Sequence, residues 1–163
     1  MAHLFGLSKP LNSQNAQRYF DEIDAQLKTA AFQPRRLYEK FNVELLCTTD
    51  AATDTLAYHQ AIHDSGWNGR ILPTFRPDTV INLDTPNWLQ HIDLLSDVSD
   101  INVVDYPTFI QALEQRRTFF KTMGAKATDH AALTAYTAEL SNTEANAIFQ
   151  RALGGTATAE DAR

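Results

Sequence analysis

With 163 residues, 44% of them hydrophobic and 21% charged, the chain has the size and composition of one globular domain, not of a disordered or fibrous protein. A net charge of -6 excludes a general nucleic-acid binder, which needs a concentrated excess of Lys and Arg to neutralise phosphate. Cys47 is the one cysteine, so neither an internal disulfide nor a thiolate metal cage forms within one chain, which favours a reducing, cytoplasmic setting.

In chain order, MAHLFGLSKP lacks the basic start and long apolar core of a signal peptide, and no apolar run approaches membrane-spanning length. NSQNAQRYFDEIDAQLKTAAF then predicts a helix with Ala16, Phe20, Ile23, Leu27 and Ala30 on its inner face and Asn12 or Ser13 as N-cap. QPRRLYEKF predicts a short helix opened by Pro34 and burying Leu37 and Phe41. The apolar run at Val43, Leu45, Leu46 and Cys47 reads as a parallel strand covered on both faces, with Cys47 as a small inert hydrophobe. Thr53 or Asp54 can cap a following helix that ends at Gly66.

RILPTFRPD reads as the second strand, carrying Ile71, Leu72, Thr74 and Phe75, with Pro73 awkward inside it because proline removes a ladder donor and prefers an edge or bulge. A helix from Thr85, with Pro86 in its first turn, turns Trp88, Ile92 and Leu95 inward. Another near Pro107 carries Phe109, Leu113, Phe120 and Met123 up to Gly124. GAKATDHAAL reads as a third short strand, and Ser141 with Glu144 forms a capping box for a helix that stops at Gly154. TATAEDAR has the look of one more helix start, too short to stand alone. The alternation implies an α/β fold with a parallel sheet: a helical lead-in over 1–41, then an α/β portion over 42–163.

Ligands of parallel α/β proteins bind beyond the carboxyl ends of the strands. Those ends supply Thr48, Thr49 and Asp50; Arg76, Pro77 and Asp78; and Thr128, Asp129 and His130. Each aspartate is equally readable as a turn former. Pro77 biases Arg76 to extended backbone, where its planar fork suits a carboxylate or phosphate, though a structural ion pair to Asp78 competes with that reading. His130 can donate a proton, bond a substrate or cap a loop. His59 and His63 lie one helical turn apart, but Gln60 stands where a zinc protease needs its glutamate, so both read as helix surface.

Taken in order, FNVELLCTTD, ILPTFRPD and MGAKATDHAAL resemble the uronate (glucuronate) isomerase family of the amidohydrolase superfamily, and the similarity runs through LYEKFNVE into the helical lead-in. The resemblance implies a partial (β/α)8 TIM-barrel segment of about three parallel strands, from an enzyme that interconverts D-glucuronate with D-fructuronate and D-galacturonate with D-tagaturonate. By motif, Arg76 becomes a substrate-facing arginine, with Thr49, Asp50 and Asp78 as further substrate contacts and Asp129 and His130 as catalytic candidates. The family's H-x-H metal pair is missing from this sequence, and its TTDDP appears as TTDAA. The resemblance therefore implies a middle segment with no metal site of its own, inactive alone, the divalent metal (zinc or similar) belonging to the full-length enzyme. The implied partner is a small uronate sugar, with no nucleic acid or membrane, and uncovered strand edges favour a homo-oligomer. A noncatalytic module binding a small carboxylate, and a purely structural helical scaffold, are the competing readings.

Overall fold

The computed structural model describes residues 2–132 and 137–162. The chain forms two units, the first comprising 1–45 with 68–70 and the second comprising 46–67 with 71–163.

The first unit is helical: α1 (Ala2–Phe5), α2 (Ala16–Leu27), a 3-10 turn (Ala30–Phe32) and α3 (Pro34–Lys40). Its apolar centre is the stacked pair Phe5–Phe32, with ring centroids 5.0 Å apart. Helix α2 buries Tyr19, whereas Phe20 is 66% and Leu27 49% exposed. The predicted face is thus rotated by one residue. Tyr19 wins the inward position because its hydroxyl bonds both the amide and the carbonyl of Lys9, which Phe20 has no group to do. The N-cap is Asn15, not Asn12 or Ser13; Asn12 instead accepts from the amides of Gln14 and Asn15 in the preceding turn. Pro34 opens α3 as expected, but Leu37 is only half-buried and Phe41 is exposed.

The second unit holds the sheet. β1 (Leu46–Cys47) pairs in parallel with β3 (Ile71–Leu72), and β2 (Asp50–Ala51) pairs in parallel with β4 (Phe75–Arg76). Pro73 and Thr74 split the second run in two, as a missing ladder donor requires. The amides of Thr48, Asp50 and Ala52 still reach the carbonyls of Leu72, Thr74 and Arg76, which keeps the two pairings in line. The third strand is reduced to one parallel bridge between Thr128 and Phe75, secured by bonds from Phe75 N to Ala127 O and from Asp129 N to Phe75 O. Alanine-rich sequence supports little more than that; the end of the predicted strand, at Leu133, lies outside the described residues. The expectation that the first strand is covered on both faces is corrected: Leu46 is 42% exposed, and Cys47 is an exposed free thiol.

Helices α4 (Ala57–Asp64), α5 (Asp78–Ile81), α6 (Trp88–Ser99), α7 (Tyr106–Thr122) and α8 (Asn142–Leu153) complete the unit. Trp88, Ile92 and Leu95 line the inner face of α6 as predicted, but the helix starts at Trp88, because Asn87 takes a left-handed backbone (φ 64°) that helix cannot pass through. In α7, Phe109 and Phe120 are buried and Leu113 and Met123 pack half-buried against the core. Asp105 caps α7 through a reciprocal box with Thr108, and the predicted Ser141–Glu144 box caps α8. Gly124 ends α7 at φ +95°, where a Cβ would also stand 3.1 Å from Leu72. The core gathers Phe75 against Phe120, Trp88 against Phe149, and Phe109 against Phe149, with centroids 5.1, 5.6 and 5.0 Å apart.

Arg116 is buried in this core. Its Nε, Nη1 and Nη2 donate to the carbonyls of Ala52, Val98 and Asp54 at 2.9, 3.1 and 2.7 Å, and its guanidinium lies 4.3 Å from the Phe119 ring centre. One side chain thereby ties α7 to the end of α6 and to the loop after β2. Burial lowers its pKa while the charge of Asp54 opposes that shift.

Candidate functional site

Sheet register decides which strand-end side chains meet. Paired residues project to the same face, and neighbours along a strand alternate. Arg76 therefore shares a face with its partner Ala51, and Asp50 shares the opposite one with Phe75. Two separate polar clusters result.

The first is built on Arg76. Its Nη2 donates to Asp129 Oδ2 at 2.5 Å, across a sequence separation of 53 residues. Its Nε lies 3.3 Å from Asp78 Oδ2, close enough for charge attraction but misaligned for a hydrogen bond, so this buried nitrogen has no acceptor among the described residues. Asp78 also accepts from the amide of Ala131 at 3.0 Å and faces His130 Nδ1 at 3.3 Å. The bridge at Thr128 is what delivers Asp129 and His130 to the end of β4; Pro77 keeps α5 from starting on top of Arg76. Thr79 adds a second buried polar atom, its Oγ1, without a hydrogen-bond partner among the described residues, three residues past Arg76.

In the second cluster, Thr48 Oγ1 donates to Asp50 Oδ2 at 2.7 Å and meets His59 Nε2 at 2.8 Å, while the amide of Thr74 reaches the same Asp50 oxygen at 3.3 Å. An ionised Asp50 takes the hydroxyl proton, so His59 is the donor to Thr48. The side chains of His59 and Asp50 are 11% and 13% exposed, which corrects the reading of His59 as helix surface; His63, at 85%, fits it. Nothing in the linear sequence marks His59 over His63; only the seating of α4 on the strand ends separates them.

Of the predicted site residues, Arg76, Asp78, Asp129 and His130 are brought together. Asp50 is turned to Thr48 and His59 instead, and Thr49 is exposed between β1 and β2 and takes part in neither cluster. A cavity of about 720 Å³ in the second unit is lined by apolar groups such as Phe109, Ile110 and Ile148 together with the polar Asn82, Asp84 and Asp161, and Ala131, next to His130, forms part of its wall. Among the described residues no three His, Cys, Asp or Glu side chains gather as a metal ion requires. No helix among them is long and apolar enough to cross a membrane.

This arrangement matches known proteins over the whole chain. The family model for glucuronate isomerase matches residues 1–163. A uronate isomerase of Nostoc punctiforme is 48% identical over 155 residues, covering 95% of this chain and 33% of that protein. The crystal structure of glucuronate isomerase from Caulobacter crescentus superposes with a TM-score of 0.91 at 37% identity, covering 99% of this chain and 34% of that one. That of uronate isomerase from Thermotoga maritima does so at 0.87 and 26% identity, covering 99% and 36%. The chain thus spans about a third of the length of these relatives. A match of model, sequence and backbone from end to end has one reading: the chain belongs to the glucuronate isomerase family.

Proposed function

We propose that this chain supplies the substrate-facing strand ends of an aldose–ketose isomerase acting on uronates, converting D-glucuronate to D-fructuronate and D-galacturonate to D-tagaturonate. Its three parallel segments are one arc of an amidohydrolase-type (β/α)8 barrel, a reading supported by the likeness to isomerase structures three times its length. The observation that carries the proposal is the Arg76–Asp129 pair. Asp129 Oδ2 on Arg76 Nη2 marks where a carboxylate oxygen sits, and Asp129, 40% exposed, can yield that place to the uronate carboxylate without leaving solvent. The displaced Asp129 then accepts a sugar hydroxyl.

The family resemblance implies a divalent metal for the full-length enzyme, but the side chains present here do not fit one: among the described residues no three His, Cys, Asp or Glu side chains gather to hold it. No step is assigned to a metal in this chain. The exposed Leu46 and Cys47 on β1 support self-association at that edge, and the free Cys47 suits a reducing cytoplasm.

Calorimetric titration of the purified chain tests the proposal. D-glucuronate should bind and D-glucose, which lacks the carboxylate, should not. Arg76→Ala should weaken binding by about 1.5–3 kcal/mol, roughly ten- to a hundredfold. Equal binding of both sugars contradicts it. Turnover by the isolated chain would contradict the assignment of this chain to one part of a larger site.

A further inference from the structure

Asp78 and His130 stand 52 residues apart in sequence, yet His130 Nδ1 lies 3.3 Å from Asp78 Oδ1. An ionised carboxylate only accepts, so the proton of this bond sits on Nδ1. That choice leaves Nε2 as the nitrogen with a lone pair, on a side chain 49% exposed. Asp78 is itself fixed: its side chain is 14% exposed, its Oδ2 accepts from the Ala131 amide at 3.0 Å, and the same oxygen lies 3.3 Å from Arg76 Nε. Asp129, the remaining charged group of the cluster, is held on a different nitrogen of Arg76. A pinned carboxylate behind an accessible imidazole orients histidine as a proton acceptor near neutral pH.

We infer that His130 is the catalytic proton carrier of the isomerisation, with Asp78 as its positioning residue; this rests on the function proposed above. Nε2 takes the proton from C2 of the open-chain aldose. The C2–H electron pair becomes the C1=C2 bond, and the C1=O π pair moves to O1, which gains a proton. Loss of the O2 proton then forms C2=O, and the C1=C2 pair takes the proton back from Nε2 at C1. One proton is gained at O1 and one lost from O2, so no oxidant or reductant is consumed.

Imidazole and guanidinium 15N spectra of the whole chain test this without requiring turnover. His130 should hold its proton on Nδ1 at neutral pH, and Asp78→Ala should shift it towards the Nε2–H form while the other histidines stay unchanged. An Nε2–H tautomer in the wild type overturns the inference, whether or not the variant folds; so does a tautomer indifferent to Asp78→Ala. Added D-glucuronate should shift the His130 Nε2 and Arg76 Nε resonances together. A shift at Arg76 alone overturns the role of His130 and leaves the substrate proposal standing, whereas a shift at neither overturns both.

Discussion

Around Arg116, three guanidinium nitrogens each meet a neutral backbone carbonyl inside the core; around Arg76, the same group meets two carboxylates and keeps a buried Nε with no acceptor among the described residues. Arg116 therefore has no group it can exchange. Its acceptors are part of the main chain, and moving it would strand them without donors. The partners of Arg76 are side chains, one of them 40% exposed, and a half-solvated ion pair holds its geometry with little energy. A fold that uses one arginine as a fixed brace and leaves the other with an exchangeable partner, Asp129, has separated stability from binding.

Phe120 touches both regions, packing on Phe75 below the Arg76 strand and lying 5.9 Å from the Arg116 guanidinium, so it breaks the comparison hardest. Phe120→Ala should cost about 3–5 kcal/mol in urea unfolding. Arg116→Met comes next. It strips donors from three carbonyls and should destabilise by about 3 kcal/mol, with D-glucuronate affinity unchanged in whatever fraction remains folded. Arg76→Ala should do the reverse, shifting stability by less than about 1 kcal/mol while losing the uronate. Asp129→Ala sharpens the contrast: with the competing carboxylate gone, acetate should bind more tightly than to the wild type.

The smallest effect belongs to the helix caps. Hydrogen bonds from the Ser141 hydroxyl, and then its amide, hold Glu144 below the ordinary glutamate range. A carboxyl with a lowered folded-state pKa adds stability above its unfolded value and loses it as pH falls through the folded one. Ser141→Ala should therefore lower the urea midpoint slightly at neutral pH, and the gap to wild type should close as the solution is acidified below that range. A gap that widens in acid would assign the stabilisation elsewhere.

Much of the second unit was legible because its signals are local. Ser141 and Glu144 announce a cap, Gly124 announces a stop, and Pro73 announces a strained place in its strand, which the structure splits there. The strand-end residues followed from where three apolar runs stop. What failed was whatever depends on distant partners. Tyr19 outcompetes Phe20 through a bond to Lys9, and Arg116 carries no local mark in the sequence, gaining its role only when Ala52 and Val98 are folded around it. His59 and Asp50 find each other only when α4 packs beside the strand ends. Cys47 was misplaced for a related reason, since an apolar run states what a strand is able to bury, not what covers it.

The most direct measurement is a crystal structure of the chain soaked with D-glucuronate. The sugar's carboxylate should lie within hydrogen-bonding distance of the Arg76 guanidinium, with Asp129 displaced onto a hydroxyl. A sugar seated in the cavity beside Tyr106 and Ile148, with the Arg76–Asp129 pair intact, would contradict the account.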